Sequence, residues 1–464
     1  MASQGAAPTE LGTERIGTLL RKYAVPGIIA MIASSLYNMV DSIFIGHIPN
    51  VGAYAISGIA VTFPLMNLST ALGTLVGVGG QTMVSVLLGQ KNYQAAQKVL
   101  SNVVSLNVII GVAFAAVCLI FLDPILYFFG ASENTLPFAR EYMIIILIGN
   151  AVTHLYFGLN GEIRASGNPK TAMGLTIFTV TANAILDPLF IYGFGLGVKG
   201  AAIATVLCQC LALAYTLVFF LNKKNFLHFG PRIFQLDRHI AKSSLSIGLG
   251  PFLMHVASCM VAIFVNQQLR KYGGDLSIGA YGISNRITFM FLMINLGFNQ
   301  GMQPIASFNY GARQYKRVKE VFWLTAKWMC LMSLICFLVS ELLTTPAVRL
   351  FTEDPEMISK ADNALRLMNL MIWCVGFGMV AGNFFQSLGM VRKSIFLSLT
   401  RQLLFLVPLV YLLPIWLGEN GVWLAFPISD FLSVVCAAIL IIQILRKFDK
   451  LNDGDDPSVL GGAV

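Results

Sequence analysis

The sequence predicts an all-α integral membrane protein with twelve transmembrane helices in two six-helix lobes. Three observations predict it. Of the 464 residues, 56% are hydrophobic and only 11% charged, against about 25% charged in soluble domains. Apolar stretches of about 20 residues, enough to cross a bilayer core as helix, recur along the chain. The second half also repeats the first at a nearly constant offset, so one six-span pattern is used twice.

Residues 1–22 open polar and end basic, with Arg15, Arg21 and Lys22. They are expected to be a cytoplasmic segment without a cleavable signal. The first lobe, 23–221, holds spans at 23–46, 54–87, 99–121, 138–161, 172–192 and 200–221. Residues 222–242 are a cytoplasmic joint. There Phe226, Phe229, Ile233, Phe234 and Leu236 mix with Lys223, Lys224, Arg232, Arg238 and His239, the composition of an interfacial amphipathic piece. The second lobe, 243–445, holds spans at 243–267, 277–307, 320–344, 361–386, 395–416 and 421–445. Spans 54–87 and 277–307 are long enough to bend or to begin outside the bilayer. The cytoplasmic tail, 446–464, is rich in Gly and Asp and is expected to be disordered.

The repeat shows in matched loops. Gly89-Gln-Lys-Asn-Tyr follows the second span and Gly311-Ala-Arg-Gln-Tyr the eighth, 222 residues apart. Gln81 and Gln303, and Gly167 and Gly389, keep that spacing; Lys199-Gly200 and Asn420-Gly421 stand 221 apart. Pro26 and Pro251 open the first and seventh spans. An even number of spans per repeat makes both halves enter the membrane alike. They would be related by an axis along the membrane normal, with a substrate cavity between them.

Charge gives the orientation. With the N-terminus cytoplasmic, 21 of the 31 Lys and Arg fall in cytoplasmic segments, 7 on the opposite side and 3 within spans. Both termini are thus expected in the cytoplasm. The net charge of +9 is read as this bias and not as a nucleic-acid footprint. The eight cysteines all lie in apolar segments without paired loop spacing, which argues against a disulfide framework or a zinc site.

Ionisable groups within spans carry the function. Asn183 and Asp187 are four residues apart, on one face of the fifth span. Pro188 follows and lacks an N–H, so the carbonyl of Ala184 loses its helical partner. Asp41 is a second acid, near the middle of the first span. A carboxylate in hydrocarbon costs roughly 2.5–3.5 kcal/mol on insertion scales, so it faces the protein interior and usually has a task. The pair offers hard oxygens for Na+, or acids whose burial and proximity favour carrying a proton. Arg286, Lys327 and Arg401 also lie within spans. Arg286 and Lys327 are placed to snorkel; Arg401 is deeper, and snorkelling, packing or a conformational ion pair are its readings. Asp430 in the twelfth span has no basic neighbour in its own helix and is the remaining candidate for a role in the second lobe, as Arg401 is. His154 and His255 read as hydrogen-bonded interior residues, and Glu162 with Arg164 as a local ion pair.

Taken together, these residues resemble the multidrug and toxic compound extrusion (MATE) family, in its MepA-like bacterial branch, over about residues 11–447. The likeness rests on the Leu-Gly-Thr-Glu start at Leu11, Tyr37-Asn38-Met39-Val40-Asp41-Ser42-Ile43-Phe44-Ile45-Gly46 and the twin Gly-x-x-x-Tyr loops. Arg164-Ala-Ser-Gly-Asn-Pro-Lys and Asn183–Pro188 complete it. The resemblance implies export of cationic amphipathic compounds in exchange for Na+ or H+. It implies a cation site in the first lobe at Asp41, Asn183, Asp187, Asn160 and Thr205, with Tyr37 one turn before Asp41; Na+ would sit at Asp41, Asn183 and Asp187. One branch of the family keeps acids on helices 7 and 10. Here the seventh span has none and the tenth has none after Asp362, so that pattern is not followed.

The expected protein is therefore a cation-coupled secondary exporter in the bacterial cytoplasmic membrane, acting as a monomer. It needs no cofactor beyond the coupling ion, and its partners are small organic cations and the lipid bilayer. Helix bending is assigned to Pro26 and Pro188. A flippase for lipid or lipid-linked sugar is the alternative within transporters, weakened by the scarcity of basic residues within spans. A membrane-embedded enzyme is the alternative of another class, and no H-E-x-x-H, G-x-S-x-G or P-loop motif supports it.

Overall fold

A computed structural model describes the backbone of residues 9–46, 48, 52–234, 236–351 and 353–456; side chains at 37–43, 46, 52–54, 56, 57, 60 and 275 lie outside the described set. The described residues form helices joined by short turns, without a strand. This is the expected solution for apolar spans, because a helix satisfies its own backbone hydrogen bonds in lipid.

The principal helices are α1 (Ile16–Gly46), α2 (Gly52–Gly89), α3 (Tyr93–Ile120), α4 (Leu136–Ile148), α5 (Asn150–Ala165), α6 (Pro169–Pro188) and α7 (Val198–Leu221). The second half supplies α8 (Arg238–Tyr272), α9 (Asp275–Gly311), α10 (Tyr315–Leu342), α11 (Pro355–Met368), α12 (Ile372–Ser387), α13 (Val391–Leu399) and α14 (Glu419–Phe448). Among the described residues nine helical segments are long and apolar enough to span a membrane. The bent pairs α4–α5, at 55°, and α11–α12, at 52°, bring the count to eleven. The expected eighth span is the continuous 37-residue α9. It falls outside that set, and Asn285, Arg286, Asn295, Asn299, Gln300 and Gln303 make it more polar than its neighbours.

The duplication is written into the backbone. Lys91 and Arg313, the third residues of the twin loops, both take left-handed φ values of 58° and 57°. Gly167 and Gly389, at 94° and 67°, and Gly197 and Gly418, at 57° and 59°, repeat this at the later turns. A Cβ on Gly200 would lie 2.6 Å from the backbone of Phe190, and one on Gly421 2.5 Å from that of Leu413. Equivalent turns close equivalent helix pairs.

The chain divides into two compact units, but not at 222–242. Among described residues the first holds 9–13 and Ile32–Phe252, the second Glu14–Met31 and 253–456. The cuts fall inside α1 and α8, so each unit includes the opening half of the other repeat's first helix. Within the second unit, a Cβ on Gly297 would sit 2.4 Å from Ile28 Cα, and one on Gly301 2.5 Å from the backbone of Ala24. Within the first, a Cβ on Gly248 would meet the carbonyl of Leu75 at 1.8 Å, and one on Gly79 that of Ser244 at 1.9 Å. Backbone rests on backbone at matching places in both units, as small residues allow in membrane helix packing.

Two segments differ from expectation. Residues 222–234, with 236 and 237, form a docked turn-rich strap where an interfacial amphipathic piece was expected. Phe229 N donates to the Phe220 carbonyl at 2.8 Å, Asp237 N to Asn102 Oδ1 at 2.9 Å, and Ser101 Oγ to the Arg232 carbonyl at 3.2 Å. Leu227 and Phe229 are buried, while Phe234 and Leu236 are exposed. Docking wins because the strap's backbone finds partners on α3 and α7 that a helix would have supplied internally. The tail, expected to be disordered, is held as far as Asp456. Gly454 N donates to the Arg313 carbonyl at 2.9 Å, Tyr315 Oη to the Asp455 carbonyl at 2.7 Å, and Lys319 pairs with Asp449 at 2.5 Å. Its acids face the basic start of α10, a complement that composition alone does not reveal.

Gly301→Ala should lower the melting temperature of the detergent-solubilised protein, since overpacking typically costs about 1–3 kcal/mol. Gly282→Ala in the same helix, where a Cβ meets nothing within 4 Å, should not. Equal melting of the two variants would refute the close-contact account.

Candidate functional site

Helix α6 carries the predicted polar pair. Pro169 opens it and Pro188 closes it; Pro is suited to a first turn and unable to continue a helix as donor. The chain then makes one π-helical turn, Leu189–Gly193, the wider turn often found at functional sites. Asp187 is fully buried and Asn183 nearly so, within an otherwise apolar span. Asn183 Nδ2 donates to Asp187 Oδ1. The bond holds the carboxylate to the amide one turn earlier on the same helical face.

Other elements converge here. Tyr192 Oη donates to the Phe44 carbonyl at 2.5 Å, which ties the π-helical turn to the second half of α1. Phe44 lies one turn beyond Asp41. Asp41 and Tyr37 belong to α1, and their side chains lie outside the described residues. From α7, Cys208 lies close enough to Asp187 to feel its charge. Thr205, half-buried, is three residues earlier on that face of the helix.

Asn160 is placed elsewhere. Its Nδ2 donates to the Ala172 carbonyl at 3.1 Å, and Arg164 Nη2 donates to its Oδ1 at 3.4 Å. Ala172 is at the start of α6, eleven residues before Asn183, or about 16 Å along the axis. Asn160 therefore braces the C-terminal end of α5 against α6 and is not brought to Asp187. The expected Glu162–Arg164 ion pair does not form either, because residues two apart on a helix diverge. Glu162 is fully buried, with no donor to either oxygen among the described residues, and it packs at Gly80. The repeat held a signal for this: five residues before Gly389, matching Glu162 before Gly167, stands the buried Phe384. His154 is an interior residue as expected. Ser69 Oγ lies 3.0 Å from its Nε2 and donates to Asn150 Oδ1 at 2.6 Å.

In the second unit the two separate candidates meet. Arg401 Nε donates to Asp430 Oδ1 at 2.5 Å. Asp430 is 4% exposed and the Arg401 side chain 31% exposed. Arg401 belongs to a second π-helical turn, Thr400–Leu406. The freed geometry lets Ser429 Oγ donate to the Arg401 carbonyl at 2.5 Å. Sequence reasoning had each residue without its partner, and it missed Gln402, whose Nε2 donates to Ser258 Oγ at 2.7 Å.

A family model described as MatE matches the chain twice, over residues 26–189 and 247–412, once in each repeat. The multidrug export protein MepA of Staphylococcus haemolyticus is 28% identical over 427 residues, covering 92% of this chain and 93% of that one. MepA of Staphylococcus aureus is 27% identical over 430 residues, covering 93% and 94%. Among solved structures, an outward-facing multidrug resistance MATE transporter of the MOP superfamily has a TM-score of 0.90 at 24% identity, covering 97% of this chain and all of its own. A MOP superfamily transporter from Pyrococcus furiosus, described as having a binding pocket of reverse polarity, reaches 0.91 at 23% identity with the same coverage. These two likenesses speak to the fold.

Asp430→Leu should destabilise the protein by about 3–5 kcal/mol, because it strands the Arg401 charge. The double variant Arg401→Met with Asp430→Leu should recover most of that loss. Thermal melting of the four-member cycle reads the coupling, and additive effects would show that the pair contributes nothing as a pair.

Proposed function

The chain belongs to the MatE family of membrane transporters, and from that premise we propose that it is a secondary active multidrug exporter, trading H+ or Na+ for small organic cations. Its relatives named multidrug export protein support the efflux role. The observation that carries the coupling is Asp187: a fully buried carboxylate in an apolar span, held by Asn183 beside a π-helical turn.

In this reading Asp187, Asn183 and Asp41 form the cation site, with Thr205 and Tyr37 beside them. The set offers the hard oxygens Na+ takes, and equally two carboxyls able to hold a proton between them. An entering cation neutralises the acids, and its differential binding between two states moves the equilibrium. Pro26, in the part of α1 grouped with the second unit, and Pro188 are the places where the helices bend. The protein works as a monomer in a bacterial cytoplasmic membrane, with both termini inside.

Asp187→Asn and Asp41→Asn should each abolish ethidium efflux from an efflux-deficient host while the variant protein still reaches the membrane. Full efflux by both would sink the proposal. Varying Na+ and pH separately in vesicles identifies the ion: dependence on only one gradient is expected, and efflux indifferent to both would exclude cation coupling.

A further inference from the structure

Arg401 carries five N–H donors, and the protein uses one edge of them. Its Nε bonds Asp430. Among the described residues no protein group accepts from either terminal nitrogen. Yet the residue lies ten positions into the span Val391–Leu417, about 15 Å along the helix, with its side chain 31% exposed. Open guanidinium N–H groups at that depth face water or a polar ligand, not hydrocarbon.

The neighbours agree. Gln402 and Ser258 bond each other at 2.7 Å, and Tyr411 Oη donates to Gln267 Oε1 at 3.3 Å, both at exposed places on the same two spans. The Phe264 ring stands edge-on to Tyr411, 6.0 Å between centroids. The second unit thus carries exposed polar groups next to Arg401 in the chain and an aromatic pair further along the same two spans. Asp430, buried, grips the guanidinium by its Nε edge. The bond from Ser429 Oγ to the Arg401 carbonyl holds the backbone at the π-helical turn. A fixed guanidinium with its outer edge open is preorganised for a carboxylate, through parallel charge-assisted bonds.

We propose that Arg401, oriented by Asp430, is a subsite in the second unit for the carboxylate of zwitterionic amphipathic substrates. The cationic aromatic body of such a substrate lies along Phe264 and Tyr411, whose ring faces attract cations. Asp430 acts through Arg401 and is a positioning residue. The inference rests on the exporter reading for its biological meaning, but equilibrium binding at Arg401 does not require coupling at Asp41 and Asp187.

The test is a matched pair of dyes, rhodamine B, with a free carboxylate, and its ethyl ester. Both are titrated into the full-length protein in detergent and followed by fluorescence polarisation. The double variant Arg401→Gln with Asp430→Asn, which strands no charge, should weaken rhodamine B about tenfold, the scale of one lost charge-assisted contact. The ester should change by less than about twofold. Arg401→Lys, which keeps the charge and loses the fork, should weaken rhodamine B selectively and by less; it decides the matter alone if the double variant does not fold. Equal weakening of both dyes, or of neither, overturns the proposal. Asp187→Asn serves as the separating control: loss of efflux there with rhodamine B binding intact leaves the subsite standing, whatever the fate of the coupling site.

Discussion

Hydrocarbon satisfies no hydrogen bond, and this constraint shapes the whole molecule. Every span is helical because only a helix pairs its own backbone. Departures from regular helix occur at few points, and the two π-helical turns, Leu189–Gly193 and Thr400–Leu406, lie beside or within the polar groups Asp187 and Arg401. A wider turn releases backbone groups, and a buried polar group needs partners. The two features support each other in one place.

The repeats share a backbone and not a chemistry. Lys91 and Arg313 take the same left-handed turn, and the broken spans α4–α5 and α11–α12 bend by similar angles. Side chains then diverge. In the first unit the buried polar pair is an acid held by a neutral amide one turn away. In the second it is an acid neutralised by a guanidinium on another helix. Phe384 stands where Glu162 is in the first repeat, both fully buried. Duplication supplied two copies of one scaffold, and each copy places its costly groups differently.

The grouping of helix halves follows from the same economy of surface. Gly297 and Gly301 of α9 touch Ile28 and Ala24, while Gly79 of α2 and Leu75 touch Ser244 and Gly248 of α8. Such contacts leave no room for side chains and so lock the first half of each opening helix to its unit. The remaining half of each helix belongs to the other unit. Pro26 and Pro251 lie in these opening helices near the division, where a missing N–H softens the helix.

Much of this was legible in the residues alone. Apolar run length set the spans, because bilayer thickness fixes helix length. Matched Gly and Tyr at a constant offset disclosed the duplication, because special turns admit few residue types. Asn183 and Asp187 announced their contact, since a spacing of four puts side chains on one helical face. What only tertiary structure decided lies between helices. Asn160 turned to Ala172 and not to Asp187, Arg401 found Asp430 across two helices, and Glu162 received no hydrogen-bond partner among the described residues. The strap after α7 was docked by groups on α3 and α7, and the tail at 449–456 by Arg313 and the start of α10. Periodicity specifies the face of a helix, but not its rotation and depth against its neighbours, and those two quantities choose which polar groups meet.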